Sequence, residues 1–254
     1  MKNKLNIISI IPARMNSSRF PGKPLAKING KPMIGHVYER VAKSKSVNLT
    51  VVATCDQEII NYIESIGGVG IMTSDKHERA SDRCAEALIN LEKLNKTKYD
   101  IIVMVQGDEP LVVPEMIDEA VMPMLSDSNI NVVNLLGEIK DENEFKDRNC
   151  IKVVCDLSMN ALYFSREPIP TQVKVKKIPM GKQVCIIPFK RDYLIEYNAL
   201  EPTPLEIAES VDMMRVLEHG MKVKMVNTKY QNQAVDTKED LAKVEILMQS
   251  ELIR

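Results

Sequence analysis

Three basic side chains follow a short apolar run near the start of the chain. The run covers residues 7–11, is rich in isoleucine and stops at Pro12, which predicts a buried strand that gives way to a loop. Arg14, Arg19 and Lys23 lie on this loop. Arginine and lysine are suited to binding phosphate oxygens, and ligands of open α/β sheets bind where loops leave the carboxyl ends of strands. The pattern therefore predicts a triphosphate site, and a solvated basic loop is the alternative interpretation of its charge.

A carboxylate stands at the end of a second apolar run. Residues 101–106 are almost purely apolar, as is typical of a central strand in a parallel sheet, and Gln-Gly-Asp-Glu-Pro spans residues 106–110. Mg²⁺ prefers hard oxygen ligands and usually takes one or two carboxylates together with phosphate oxygens and water. Asp108, beside a cationic loop, is therefore predicted to bind magnesium. A turn in which Asp108 bonds to its own backbone is the structural alternative.

The basic loop differs from the common phosphate-binding motifs. Residues 21–24, Pro-Gly-Lys-Pro, keep only the tail of the Walker sequence, and no Gly-x-Gly-x-x-Gly occurs. A glycosyltransferase of the GT-A type would carry Asp-x-Asp, and Gln106 stands where its first aspartate should be. The residues alone thus indicate magnesium-dependent transfer on a nucleoside triphosphate and leave the nucleotide open.

Composition narrows the class of protein. The chain has 254 residues, a formal net charge of −1, an aromatic content of 4% and no tryptophan, which argues against a nucleic-acid partner. No apolar run approaches the length of a membrane span, and residues 1–11 do not resemble a signal peptide, so the expected location is the cytoplasm. The five cysteines form no Cys-x-x-Cys pair and are expected to be reduced. The three histidines are scattered and form no zinc-type cluster.

Strands and helices alternate along the chain, which predicts an α/β fold with a Rossmann-like, mostly parallel, doubly wound sheet. The predicted strands cover residues 7–11, 49–54, 70–73, 101–106, 130–136, 183–189 and 222–228, with a hairpin at 150–156 and 161–164. The predicted helices cover residues 32–44, 57–66, 79–94 and 203–219, with a last helix after Thr237 and a charged helix or loop at 140–148. Residues 171–180 are polar and cationic and are predicted to form a mobile loop, and Glu209 is predicted to lie on a solvated helix face.

Several motifs together resemble the 3-deoxy-manno-octulosonate (KDO) cytidylyltransferases, the CMP-KDO synthetases. The matching stretches are residues 12–25 with 28–34, 106–110, 161–170 and 234–241. The first reads Pro-Ala-Arg-x-x-Ser-Ser-Arg-Phe-Pro-Gly-Lys-Pro-Leu, and the last reads Ala-Val-Asp-Thr-Lys-Glu-Asp-Leu. The resemblance runs over about residues 5 to 248, so it covers nearly the whole chain.

The resemblance implies a fold and a reaction. The fold is a GT-A-like nucleotidyltransferase domain over residues 1–254, with a small antiparallel dimerisation lobe inserted at about 137–190. The reaction is Mg²⁺-dependent transfer of CMP from CTP to a 2-keto-3-deoxy acid sugar, KDO or a close relative, with release of pyrophosphate. Its product would serve lipopolysaccharide or another cell-surface polysaccharide. The implied partners are CTP, the acid sugar and a second copy of the chain in a homodimer, without nucleic acid or membrane.

The resemblance also assigns roles to individual residues. Asp236 falls at the second metal carboxylate, which pairs it with Asp108, and Lys23 joins these two acids as catalytic. The implied CTP-binding residues are Pro12, Ala13, Arg14, Arg19, Lys23, His77, Ser81, Arg83 and Gln106. The implied sugar-binding residues are Gln106, Arg166, Gln183, Asp212 and Met213. Ser81 is also expected to cap the helix that follows it, and the structural alternative for Asp236 is a second helix cap.

The chain departs from the family's pattern in two places. In the segment His-x-Ser-Gly-Thr-x-Arg, Arg79 and Ala80 replace serine and glycine. In the acid-sugar motif His-x-Gly-x-Tyr, and at a later glutamine, the chain carries Gln183, Cys185, Ile187 and Met213. Losing a polar partner from a buried site typically costs about 1–3 kcal/mol. Cytidylyl transfer is therefore a firmer expectation than the identity of the sugar, and a related octulosonate or a nonulosonic acid stays open.

Two other classes of protein fit the same residues. One is a sugar-nucleotide pyrophosphorylase that uses UTP or GTP and a sugar phosphate. The other is a non-catalytic nucleotide-binding protein built on the same fold. A pyrophosphorylase would release pyrophosphate with a sugar phosphate as acceptor and not with a free keto-acid sugar. In a non-catalytic protein, removing Asp108 or Asp236 would leave the function unchanged.

Overall fold

The computed structural model describes residues 5–17, 19–174 and 180–249. Ser18 of the basic loop and residues 175–179 of the predicted mobile loop lie outside the described residues. The described strands are β1 (Ile7–Pro12), β2 (Lys27–Ile28), β3 (Lys31–Pro32), β4 (Leu49–Thr54), β5 (Gly70–Met72), β6 (Ile101–Val105), β7 (Val133–Glu138), β8 (Lys152–Cys155), β9 (Ala161–Ser165), β10 (Gly181–Val184), β11 (Ile186–Lys190) and β12 (Lys224–Asn227). The described helices are α1 (Met33–Val41), α2 (Gln57–Ser65), α3 (Ala80–Asn95), α4 (Pro114–Ser126), α5 (Glu142–Lys146), α6 (Arg191–Ala199), α7 (Pro204–Glu209), α8 (Met213–Glu218) and α9 (Lys238–Gln249).

The first sheet has the order β11-β6-β1-β4-β5. β1 pairs in parallel with both β4 and β6, and β5 continues the parallel ladder from β4, while β11 closes the other edge in antiparallel orientation. Every residue of β1 is buried, as expected for a strand at the centre of a parallel sheet. The prediction of a mostly parallel α/β fold is confirmed.

Helices cover both faces of this sheet. Ile8 and Ile10 of β1 join one apolar cluster with α3 and α6, whereas Ile7 and Ile11 join a second cluster with α1, α2 and α4. This division follows from the strand geometry, because successive side chains point to opposite faces. The sheet is thus doubly wound, and the ends of its parallel strands stay clear of helices and open to a ligand.

A second sheet has the order β12-β7-β10-β8-β9, in which the β12–β7 pair is parallel and the other pairs are antiparallel. The predicted hairpin is present as β8 and β9. One β-strand was predicted over residues 183–189, and this prediction was wrong. The chain leaves the second sheet at Val184 and, after Cys185, enters the first sheet as β11. The segment is divided because its two halves pair in different sheets. The dimerisation lobe and its limits stay predictions.

The predicted helix over residues 203–219 was also wrong in its length. It starts as predicted, since Thr203 is the N-cap and its N–H donates to the Glu206 side chain at 3.2 Å. It then breaks at Ser210, whose φ of 52° is left-handed, and α8 follows as a separate helix. Glu209 at the break accepts hydrogen bonds from the Tyr163 hydroxyl at 3.1 Å and the Arg166 N–H at 2.8 Å, so it does not lie on a free solvated face.

A buried ion pair ties α7 to α8. The guanidinium of Arg215 is fully buried and donates to Glu206 at 2.7 and 2.6 Å, to the Leu200 carbonyl at 3.0 Å, and lies 5.4 Å from the Tyr197 ring centroid. Burial raises the pKa of Glu206 above its ordinary value. Breaking a buried pair from one side leaves the other charge without compensation.

We expect Glu206→Gln to lower the free energy of unfolding by about 3 kcal/mol, because it strands the buried Arg215 charge. Urea denaturation followed by circular dichroism measures this change. Glu142→Gln is the matched control, since Glu142 pairs with Lys146 on the exposed surface of α5, and it should leave the unfolding midpoint unchanged. Equal midpoints for the two variants would contradict the stabilising role of the buried pair.

Finally, no helix among residues 5–17, 19–174 and 180–249 is both long and apolar enough to cross a membrane.

Candidate active site

A cavity of about 290 Å³ opens at the carboxyl ends of β1 and β6. Pro12, Ala13 and Arg14 reach it from β1, and Gln106, Gly107 and Asp108 reach it from β6. These two strands are hydrogen-bonded neighbours, so their following loops must emerge side by side. We call this space the catalytic cavity.

Glycine is needed where these two loops meet. A Cβ atom on Gly107 would lie 2.9 Å from the Pro12 carbonyl oxygen, closer than real Cβ atoms approach, and 3.1 Å from the Ile34 side chain. Gly22 has a φ of 74° and precedes a single 3-10 turn, Lys23–Leu25, and glycine adopts this left-handed conformation without a steric penalty. The two glycines bring Asp108 and Lys23 to the cavity.

Lys23 joins the two predicted metal ligands. Its ammonium lies 2.7 Å from Asp108 Oδ2 and 3.4 Å from Asp236 Oδ1, and its side chain is only 12% exposed. Arg19, on the rim, contacts the same Asp236 oxygen at 2.9 Å. The two carboxylates therefore lie on one wall of one cavity, and cations neutralise both.

The backbone also fixes Asp236 beside Asp108. The N–H of Val235 donates to the Asp108 carbonyl at 2.9 Å, and the Val235 side chain is fully buried. Asp236 N–H donates to the Asp240 carboxylate at 3.2 Å, while Thr237 Oγ accepts from the Asp240 N–H at 3.1 Å. Thr237 thus caps α9 as predicted, and Asp236 keeps its carboxylate for the cavity.

The segment before α3 forms another wall. His77 and Arg83 line the cavity as the sequence implied. Arg83 is 3% exposed and donates to Thr73 Oγ at 2.6 Å and to the Ser74 carbonyl at 3.2 Å. His77 is fixed by a contact with Glu86. Both side chains are therefore anchored components of the wall.

Ser81 does not cap α3, which corrects the sequence-based expectation. Arg79 holds the N-cap position, and Ser81 lies inside the first turn with a fully buried side chain. The Ser81 hydroxyl donates to the Asp212 carboxylate at 3.2 Å. Burial raises the pKa of Asp212 above its ordinary value. Ser81 is thus turned toward α8 and away from the lining of the catalytic cavity, and its role in nucleotide binding stays a prediction.

Arg79 lines the cavity, although in the sequence it was recognised only as a departure from the family's pattern. Its side chain lines the cavity and contacts Asp82 at 3.0 Å and Glu206 at 3.5 Å. The signal in the sequence was the replacement of a small residue by a long cation at a ligand-facing segment. The other lining residues without an assigned role are Ser17, Pro24, Met33, Glu78, Ala80 and Gly107.

The predicted sugar-binding residues do not form one group. Gln106 lines the catalytic cavity, whereas Gln183 lines a neighbouring space. The Arg166 guanidinium donates to the carbonyls of Glu209 and Ser210 at 2.5 and 3.2 Å. Met213 is fully buried in the apolar core. Contact of Arg166, Asp212 or Met213 with a sugar stays a prediction that neither cavity supports, because these side chains are absent from both linings.

The neighbouring space has a volume of about 500 Å³ and shares Asp236 with the catalytic cavity. We call it the side cavity. Glu109 is on its wall and is 4% exposed. Burial, together with the charge of Asp108, raises the pKa of Glu109 to about 8, although Lys182 opposes this shift.

The two carboxylates are suited to a magnesium ion that is shared with phosphate oxygens, rather than to a metal ion that is held by protein side chains alone. Within the described part of the chain, no group of three or more His, Cys, Asp or Glu side chains is arranged to hold a metal ion. Asp108 and Asp236 offer hard oxygens on one wall, and Mg²⁺ commonly takes one or two carboxylates and completes its shell with phosphate oxygens and water. The donor set therefore fits a magnesium ion that arrives with a triphosphate.

The sequence is similar to those of known cytidylyltransferases. The family model for cytidylyltransferases matches residues 8–223. The curated 3-deoxy-manno-octulosonate cytidylyltransferases of Pelobacter propionicus and Geobacter metallireducens are each 42% identical, over 94% of this chain and 96% of their own.

Solved structures give the same result. A structure of CMP:2-keto-3-deoxy-manno-octonic acid synthetase complexed with CTP is 36% identical and superposes with a TM-score of 0.88, covering 97% of this chain and 100% of that one. A cytidylyltransferase from Leptospira borgpetersenii, at 19% identity and a TM-score of 0.65, shares the fold. With a family model that matches residues 8–223 and relatives that are 42% identical over 94% of it, the chain belongs to the 3-deoxy-manno-octulosonate cytidylyltransferase family.

Proposed function

We propose that this protein transfers CMP from CTP to a 2-keto-3-deoxy acid sugar, KDO or a close relative, and releases pyrophosphate. The observation that carries the proposal is the contact of one lysine ammonium with both Asp108 and Asp236 in a cavity that Arg14 and Arg19 also line. The identity of the nucleotide and the class of the sugar are inferred from the names of the relatives. The product would serve lipopolysaccharide or another cell-surface polysaccharide.

The mechanism follows from charge and position. The oxygen of the attacking sugar hydroxyl forms a bond to the α-phosphorus as the bond from that phosphorus to the pyrophosphate oxygen breaks, and the hydroxyl proton passes to solvent. Arg14, Arg19 and Lys23 bind the triphosphate and neutralise the charge that builds up on the leaving group. Arg83 and His77 hold the nucleotide from the wall that precedes α3, so that the reacting atoms are aligned before the reaction.

The two acids hold the cofactor in this proposal. Asp108 and Asp236 would bind Mg²⁺ as CTP enters, and Lys23 would then turn from the carboxylates to the phosphates. Magnesium in such a site neutralises phosphate charge and lowers the pKa of a bound hydroxyl. In this proposal the two carboxylates hold the metal and Lys23 supplies positive charge, so the reaction depends on electrostatic stabilisation and needs no histidine base.

A cytoplasmic location is part of the same proposal. All five cysteines, Cys55, Cys84, Cys150, Cys155 and Cys185, are free thiols. Free thiols are typical of reducing compartments, and CTP is a cytoplasmic substrate.

Pyrophosphate release is the direct test of the function. The purified protein is incubated with CTP, Mg²⁺ and either KDO, a nonulosonic acid or a sugar 1-phosphate, and pyrophosphate is measured by a coupled assay. We expect release with a free keto-acid sugar and none with the sugar phosphate. Release with the sugar phosphate alone would identify a pyrophosphorylase. No release of pyrophosphate with any acceptor would contradict the proposed enzymatic activity.

We expect Asp108→Asn and Asp236→Asn each to lower kcat by about a thousandfold or more, since electrostatic groups at a developing charge contribute about that much. Both variants should stay folded, because these side chains are partly exposed and their removal relieves repulsion. Asp192→Asn is the control, with a carboxylate that is 92% exposed on α6. Normal turnover by either active-site variant would show that its acid does not take part in the reaction.

Lys23 competes with a metal ion for the two acids in the absence of nucleotide. We expect Lys23→Met to strengthen binding of Mn²⁺ to the nucleotide-free protein by about fivefold, since a partly exposed ion pair contributes about 1 kcal/mol. The same variant should lose most of its turnover with CTP. Isothermal titration with Mn²⁺ measures the first effect. Lys31→Met, which removes a surface partner of Glu39, is the control, and unchanged Mn²⁺ affinity in Lys23→Met would contradict the competition.

A homodimer is also proposed. β9 is an edge strand of the second sheet, and its Leu162 side chain is 60% exposed. Edge strands with exposed apolar side chains are prone to pair with another chain. We expect a dimeric mass by light scattering and a monomer for Leu162→Lys. A wild-type monomer at micromolar concentration would overturn the proposal.

A further inference from the structure

Arg19 is held at the rim of the catalytic cavity from two sides. Its side chain is 54% exposed, and one of its guanidinium nitrogens lies 2.9 Å from Asp236 Oδ1. Another guanidinium nitrogen donates to Asn149 Oδ1 at 2.9 Å. Asn149 belongs to the segment between α5 and β8 and has no role in the mechanism proposed above. A long side chain loses conformational freedom when it is fixed, so Arg19 keeps one position only where its partners are themselves fixed.

Asn149 lies in a short loop, residues 147–150, which we call the support loop. Asn149 N–H donates to Asp147 Oδ1 at 2.8 Å, and Cys150 N–H donates to the Asp147 carbonyl at 3.1 Å. An aspartate side chain that bonds to the backbone two residues further on stabilises a tight turn. These bonds use the backbone N–H groups of the turn, and the Asn149 amide oxygen is left to accept from Arg19.

A buried lysine anchors both ends of the support loop to the second sheet. Lys152 of β8 is fully buried, and its ammonium donates to the carbonyls of Asp147, Cys150 and Arg166 at 2.8, 2.6 and 2.6 Å. An ammonium has three donors, and each of them has a backbone acceptor here. Because a buried charge is costly unless it is hydrogen-bonded, these three bonds fix the positions of the carbonyls that they join.

Arg166 anchors the middle of the support loop. Its guanidinium donates to the Arg148 carbonyl at 2.9 Å. The same guanidinium donates to the carbonyls of Glu209 and Ser210, at the end of α7, at 2.5 and 3.2 Å. The loop is thus tied to the break between α7 and α8 as well as to β8. Asn149 therefore stands between neighbours whose carbonyls are held by cations on either side of it.

The acceptor that Asn149 presents to Arg19 is electrically neutral. A carboxylate at this place would hold the guanidinium in an ion pair and compensate its charge, whereas an amide oxygen orients the guanidinium and leaves its charge for a substrate. Asp236 faces the other side of the guanidinium. With nucleotide bound, Asp236 would hold Mg²⁺, and that side of Arg19 would be available to phosphate oxygens.

We infer that Asn149 is a positioning residue, which holds Arg19 in the orientation that binds the pyrophosphate end of the nucleotide. The inference rests on the proposed function, because the triphosphate must occupy the cavity that Arg19 lines. It deepens that function by giving the second sheet a part in binding the leaving group, through the support loop. A guanidinium that is oriented before the nucleotide arrives loses less entropy on binding.

The test is a double-mutant cycle on nucleotide binding. Asn149→Ala, Arg19→Ala and the double variant are titrated calorimetrically with CTP and Mg²⁺, without an acceptor sugar. We expect the Kd for CTP to rise about tenfold in Asn149→Ala, as is typical for the loss of one hydrogen bond to a charged group. The Kd of the double variant should match that of Arg19→Ala within about twofold, because Asn149 acts only through the guanidinium.

CMP isolates the pyrophosphate end of the nucleotide. It keeps the base, the ribose and the α-phosphate of CTP and lacks the two outer phosphates. The Kd for CMP should therefore be the same for the wild type and Asn149→Ala.

An added charge tests why the acceptor is neutral. Asn149→Asp keeps an oxygen that can accept from Arg19, but it compensates the charge of the guanidinium and repels the phosphates. We expect this variant to bind CTP more weakly than Asn149→Ala does. Binding of CTP by Asn149→Asp as tightly as by the wild type would contradict the inference.

Asn129→Ala is the matched control. Asn129 N–H donates to Asp127 Oδ1 at 2.8 Å in a turn of the same kind, and Asn129 is exposed and absent from the linings of both cavities. This variant should alter none of the binding constants. Asn149 is exposed as well, so its replacement leaves no cavity in the core, and thermal melting checks that each variant is folded.

The outcomes separate the inference from the function on which it rests. A wild type that binds CTP, together with an unchanged Kd in Asn149→Ala, would overturn the inference alone. Additive losses in the double variant, or an equal loss of affinity for CMP, would overturn it as well, since either result would show that Asn149 acts by another route. A wild type that binds CTP and releases no pyrophosphate with any acceptor would remove the proposed reaction, while the binding constants would still decide the role of Asn149. A wild type that binds no CTP would remove both.

Discussion

The active site depends on one cation placed between two acids. Asp108 and Asp236 would repel each other on the wall of a partly closed cavity, and the Lys23 ammonium offsets that repulsion. The lysine thereby ties together the loops after β1, after β6 and before α9. With nucleotide bound, Asp108 and Asp236 would instead hold Mg²⁺, and the Lys23 ammonium would be available to phosphate oxygens. The charge on the acids is compensated in both states.

The sheet determines how these loops meet. β1 and β6 are adjacent and parallel, and the Pro12 carbonyl oxygen lies so close to Gly107 that only a glycine fits there. The meeting of the basic loop with Asp108 was predicted from the sequence, because apolar runs followed by a basic loop and by an aspartate are local signals, and the roles of these residues stay predictions. Asp236 was identified only through the family resemblance. The hydrogen bond from Val235 N–H to the Asp108 carbonyl joins segments that are distant in the sequence, and such a contact leaves no local pattern.

The predictions that were wrong share a physical cause. The apolar run over residues 183–189 looks like one strand, yet Val184 and Ile186 pair in different sheets. The helical pattern over residues 203–219 continues across Ser210, yet the chain turns there so that Arg215 can fold back onto Glu206. Ser81 is a residue type that commonly caps helices, yet its hydroxyl donates a hydrogen bond to Asp212, which precedes α8. In each case a tertiary partner overrode a local preference that was otherwise reasonable.

The two cavities differ in the chemistry of their walls. Arg14, Arg19 and Lys23 give the catalytic cavity an excess of donors and positive charge, which suits an anionic nucleotide. The side cavity is lined by both acids and lysines, among them Glu138, Lys140 and Lys229, so its wall is of mixed charge. Asp236 lies at the border between them. Asp236 therefore separates a cationic wall that suits phosphate from a wall of mixed charge, so the two walls favour ligands of different chemistry.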